Sequence, residues 1–150
     1  MQRNRTYQNP LIALLLVAIF TIYAAFLMSY WLLPPLIGVL FFYFVRALDR
    51  QDGVLLIQII AMSCIIEVAL GYTLFLLTIF FVLSYYIAIP RLKTVVNTKL
   101  SYHALLILYA YAGSAFFIYL ISVIFALESP SFPLYVLFYI LLEFLFVSLI

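Results

Sequence analysis

Glu67 lies well inside an apolar run with no lysine or arginine close to it in sequence, and Glu143 repeats the arrangement near the end of the chain. An ionised carboxylate in such surroundings is expensive, so each needs a proton, a hydrogen-bond donor or a cation from another segment. On a helix, Glu67 shares its face with Ser63 and Cys64 one turn before it and Gly71 one turn after it. Those small residues let another helix come close, so the carboxyl should point at protein. Three chemistries are open to it: a buried hydrogen bond that locks two helices, a partner contact or conformational hinge, and a proton or substrate relay. Glu143 stands one turn after Tyr139 and, at ~1.5 Å of rise per residue, about 10 Å from residue 150, so a tilted helix would let it snorkel toward the cytoplasmic interface, and a structural role is expected. Gln58, on the face opposite Glu67, and His103, beside a basic boundary, read as interfacial or hydrogen-bonding residues.

Enzyme signatures do not accompany these groups. The chain has no His-Glu-x-x-His pair, and its single histidine excludes a multi-histidine metal site. It has no Gly-x-Ser-x-Gly elbow, and Gly113-Ser114 has no base beside it. There are no paired carboxylates on one helix and no glycine-rich phosphate loop. A non-catalytic protein without cofactor or metal is expected. Cys64 is the only cysteine, so no intramolecular disulfide can form. Two small-residue stripes, Ala18, Thr21, Ala25 and Ser29 in the first apolar run and Ala110, Gly113 and Ser114 in the fifth, favour tight helix contacts within the chain or with another chain.

The elements that must position these residues follow from composition and charge. With 70% hydrophobic residues, 8% charged and a mean hydropathy of +1.33, the chain has too little polar surface to coat a water-soluble globule, and it reads as an all-α polytopic membrane protein. The net charge of +2 forms no basic stripe, which argues against nucleic acid. Roughly 20 apolar residues are needed per crossing, and on that scale six helices are expected, at about 11–29, 34–48, 54–71, 73–89, 103–127 and 134–150, forming one transmembrane domain over residues 1–150. The basic N-terminal stretch lacks a small-residue cleavage site, so it reads as a retained first helix and not as a signal peptide. Pro34 and Pro35 stop the first crossing, Gly53 suits a tight turn, Gly71 hinges the long run at 54–89, and Pro90 ends it. The longest polar connection is expected at 91–101.

All seven cations fall where six crossings collect them on one side. Arg3 and Arg5 precede the first run, Arg46 and Arg50 end the second, and Arg91, Lys93 and Lys99 fill the break after the fourth. The opposite turns, at 30–35, 71–73 and 127–133, carry none. The positive-inside rule therefore puts both termini in the cytoplasm, with Arg46, Arg50, Arg91, Lys93 and Lys99 as orientation signals that meet lipid headgroups.

With Pro34-Pro35 leading a second helix, a polar turn from Asp49 to Gly53, and a third helix carrying Glu67 four positions before Gly71, the chain resembles the rod shape-determining MreD family. The resemblance covers most of the chain in topology and its middle in residues. The family usually has aspartate at the position of Glu67 and glycines where this chain has Ile59, Ser63 and Phe75. It implies a scaffold of the bacterial inner membrane that binds the bitopic protein MreC and helps couple MreB filaments to peptidoglycan synthesis and cell shape. Glu67, Gly71, Ser63, Gly113 and Ser114 become the expected partner-binding or helix-packing residues. The implied fold is similar to that of the substrate-binding subunits of energy-coupling-factor vitamin transporters. The alternative is therefore a substrate-capturing transporter subunit with a pocket opening on the outer side.

Overall fold

The computed structural model describes residues 10–30, 33–96, 98–125 and 135–149; Arg3, Arg5, Trp31 and the expected outer turn at 127–133 lie outside them. The described residues form seven helices and no strand: α1 (Pro10–Ser29), α2 (Ile37–Arg50), α3 (Gly53–Leu70), α4 (Leu76–Ile87), α5 (Ile89–Val95), α6 (Lys99–Ile124) and α7 (Val136–Ser148). The all-helical class is as expected, but the count of full-length crossings is lower than six. By length and apolar composition α3 and the stretch Leu100–Phe125 can each cross a bilayer, and α4 with α5 makes a third candidate bent by 49°. Leu14–Ser29 and α7 are apolar but shorter. The 14 residues of α2 reach only about 21 Å, short of a hydrocarbon core of roughly 30 Å.

Several expected boundaries move for local reasons. Pro90 does not end a helix; it sits in the first turn of α5, where the missing N–H has no intrahelical partner to lose. Much of the expected polar connection at 91–101 is therefore helical. α6 begins at Lys99 and not near His103, because the Thr98 hydroxyl caps it by accepting from the Ser101 N–H at 3.4 Å. The hinge at Gly71 is a helix C-cap. Its φ of 73° is left-handed, and the Tyr72 N–H donates back to the Glu67 carbonyl at 2.8 Å.

α2 is the central element, packed against α3, α4, α6 and α7, while α1 lies on α3. Its buried residues Ile37, Leu40, Phe41, Phe44, Val45 and Ala47 recur at helical spacing. Phe41 is fully buried, with its ring centroid 5.1 Å from Phe81 and 6.1 Å from Phe80 of α4. α4 is keyed to α6 at two levels. Tyr109 donates its hydroxyl to Ser84 Oγ at 3.1 Å, and Gly113 leaves the space that Phe80 occupies. A Cβ on Gly113 would stand 2.7 Å from Phe80 Cζ.

Gly113→Val should therefore force Phe80 from its place and destabilise the fold by about 1–3 kcal/mol, the usual cost of overpacking. Gly53→Ala, with nothing within 4 Å of the added Cβ, serves as the tolerated control. Reversible unfolding in mixed micelles checks the pair, and equal stability of both variants would contradict the packing described.

Candidate functional site

α2 and α4 begin in the same unusual way. The residue before each is held in the left-handed region, Leu36 at φ 57° and Phe75 at φ 66°, a conformation bulky side chains rarely adopt. Neither Leu36 nor Phe75 makes a side-chain cap, so the first N–H groups of both helices need acceptors from elsewhere. The two buried glutamates supply them. Glu67 Oε2 accepts from the Phe75 N–H at 2.7 Å, and its Oε1 accepts from the Leu77 N–H at 2.5 Å. Glu143 Oε2 accepts from the Val39 N–H at 3.0 Å, and its Oε1 accepts from the Tyr111 hydroxyl. Each carboxylate thus faces the positive end of a helix dipole.

Both glutamates are 0% exposed, so Glu143 has the expected structural role but does not snorkel to an interface. The fixed N–H groups of α2 and the Tyr111 hydroxyl satisfy it inside the bundle. Gly38 makes the approach possible. A Cβ there would lie 2.7 Å from Glu143 Oε2 and 2.8 Å from Ile107 Cγ2. For Glu67 the geometry supplies the hydrogen-bonded lock between two helices, α3 and α4.

The other expected residues divide. Ser63 is fully buried on α3 and donates to the Ile59 carbonyl at 2.9 Å. Gly71 is exposed, and a Cβ there would meet nothing within 4 Å, so it is required for its positive φ and not for close helix approach. Gly113 and Ser114 are not brought to Glu67. Gly113 meets Phe80, and Ser114 donates to the Tyr111 carbonyl at 3.1 Å. Val39, Gly38 and Tyr111 were missed as partners of Glu143. The available signal was a helix start after Pro34-Pro35 with no Ser, Thr, Asp or Asn at its cap position, which demands an acceptor from elsewhere.

The height of these contacts shapes the bundle. Tyr111 stands 12 residues from the start of α6 and 13 from its end, so α2 begins near the mid-height of the longest helix. The column beyond the start of α2 is not filled by helix. A cavity of about 820 Å³ lies there, floored by Pro35 and Ile37 and walled by α1, α3, α6 and α7, with Tyr72, Tyr111, Ser114, Tyr135 and Tyr139 contributing hydroxyl-bearing side chains.

At the opposite end Asp49 Oδ2 pairs with Lys93 Nζ at 2.8 Å, and Asp49 Oδ1 accepts from the Tyr85 hydroxyl at 3.0 Å. A pair this exposed adds little stability. It does bring the α2–α3 break, with Arg50, to the same end as α5, with Arg91 and Lys93. Arg46 is half-buried one turn earlier, and the Lys99 side chain lies outside the described residues.

No protein-family model matches the chain, no curated protein matches it, and no solved structure matches it.

Removing either cap should be measurable. Glu143→Ala strands the Val39 N–H and the Tyr111 hydroxyl, at about 1–3 kcal/mol for each buried unsatisfied donor. Glu143→Gln keeps an acceptor oxygen and should lose less. Unfolding in mixed micelles should rank wild type above Gln above Ala, and the same order holds at Glu67. Alanine variants as stable as wild type would mean that the caps do not hold these helices.

Proposed function

We propose that this protein is a non-catalytic inner-membrane scaffold of the bacterial cell-elongation machinery, the role implied by its resemblance to MreD. In this reading it binds the single transmembrane helix of an MreC-like partner and helps couple MreB filaments to peptidoglycan synthesis. The observation that carries the reading is the state of the two small-residue stripes. Ala110 and Ser114 of α6 are buried and Gly113 is filled by Phe80, so that face is used within the chain. Ala18, Thr21, Ala25 and Ser29 of α1 are all exposed, and α1 packs on α3 through another side that includes the buried Ala24. A stripe of this kind, unused by its own fold, suits a partner helix that approaches closely.

The scaffold is proposed to cross the membrane six times with both termini in the cytoplasm. The short α2 completes its crossing through the non-helical segment around Pro34 and Pro35. Contact between Asp49 and Lys93 supports this map, because it joins two cation-bearing breaks at one end of the bundle. A second reading, a substrate-capturing subunit of a vitamin-type transporter, is favoured by the cavity beside α2.

Ala18→Leu with Ala25→Leu should sharply reduce recovery of the bitopic partner in mild detergent, while Ile57→Ala, on the exposed face of α3, leaves it unchanged. Full recovery with the double variant, alongside normal insertion, counts against the scaffold. Retention of a small water-soluble compound by the purified chain would favour the transporter. Reporters fused after residue 96 should read cytoplasmic, and a periplasmic signal there contradicts six crossings.

A further inference from the structure

The cavity over the start of α2 has a chemistry of its own, independent of the assembly role. Its volume of about 820 Å³ falls within the range of ligand sites, roughly 300–1,000 Å³. Its described lining contains no aspartate, glutamate, lysine, arginine or histidine. The nearby carboxylate of Glu143 is fully buried and taken up by Val39 and Tyr111, so it offers no charge to an occupant. A charged solute would therefore be desolvated with no counter-charge among the described lining residues to meet it.

The cavity runs from the turn end of the bundle toward its middle. Tyr72, in the α3–α4 turn, and Tyr135, just before α7, lie at one end, while Leu108, Ala112 and Ile118 of α6 carry the lining past the mid-height of the bundle. Access is from the side. α1 and α7 both border the cavity, yet among the described residues their Cα atoms nowhere come within 8 Å of each other. Met28 and Leu137, which line it from those two helices, are 69% and 70% exposed. An opening between two apolar helices faces lipid chains and not water.

We propose that this cavity holds one hydrocarbon chain of a membrane lipid, entering between α1 and α7 with the lipid's polar end toward Tyr72 and Tyr135. The chain occupies the column that the short α2 leaves open. It replaces the dispersion contacts that an empty cavity would forfeit.

The test uses the full chain in nanodiscs of phosphatidylethanolamine and phosphatidylglycerol that include a phosphatidylcholine with a diazirine in its acyl chain. After photolysis, labelled residues are read by peptide mass spectrometry. Tyr111 and Ser114 are buried at the cavity wall and should be labelled, whereas Ala110, buried on the same helix away from the cavity, should not. Ile57, exposed on α3, marks ordinary surface lipid. Ala115→Phe, which places a ring in the cavity between Tyr111 and Ser114 and the occupant, should cut labelling of Tyr111 and Ser114 several-fold and leave Ile57 unchanged. Wild-type labelling of Tyr111 and Ser114 no greater than that of Ala110 overturns the proposal without recourse to any variant. So does a water-soluble compound carried by the purified protein and displaced by Ala115→Phe. Neither result bears on partner recovery, so this proposal and the scaffold can fail separately.

Discussion

A helix that begins inside a bilayer exposes backbone N–H groups to a medium that offers no water, and each must find an acceptor from the protein itself. α2 and α4 pose the same demand at their buried first turns, Ile37 and Gly38 in one and Leu76 and Leu77 in the other, after residues that make no side-chain cap. Glu67 and Glu143 are the acceptors, and the rest of the structure depends on them. Because Glu143 reaches the start of α2 beside Tyr111, α2 starts at the mid-height of α6. That start leaves a cavity above the short helix. Because Glu67 holds the start of α4, the turn after Gly71 is closed and Phe80 is delivered to Gly113.

The same constraint explains what the sequence made legible. Local signals were readable: the polar break at 49–53, the turn at Gly71, the apolar runs, and the need of Glu67 for a partner within the protein. The Glu67 bonds span only eight and ten residues, so they stay within one hairpin of helices. The partner of Glu143 was missed because its acceptor role is to Val39, 104 residues away, and no local pattern announces so distant a contact. The shortness of α2 was legible, since the expected helix at 34–48 is scarcely longer than Ile37–Arg50, but the height at which it starts beside α6 was not. Pro90 was taken as a terminator because proline breaks helices in their interior, whereas its position in a first turn depends on the bend at Ala88.

The two proposals rest on two regions that the bundle leaves unfilled. On α1 the small residues Ala18, Thr21, Ala25 and Ser29 are exposed while the equivalent face of α6 is spent on α4, and that asymmetry is what a partner helix could use. Above α2 the missing turns of helix leave a cavity, with no charged residue in its described lining, between α1 and α7. The first region is the proposed seat of a partner helix, and the second that of a lipid chain. Both arise from packing and neither requires a reacting group.

The central contact can be observed without altering the chain. Solid-state NMR of the uniformly ¹³C,¹⁵N-labelled protein in liposomes should show through-space correlations from the Val39 amide nitrogen to the Glu143 carboxyl carbon and from the Leu77 amide nitrogen to the Glu67 carboxyl carbon, as hydrogen bonds of 3.0 and 2.5 Å require. Assigned spectra in which both amides lack those correlations would contradict the account, because the two helix starts would then be held by something else.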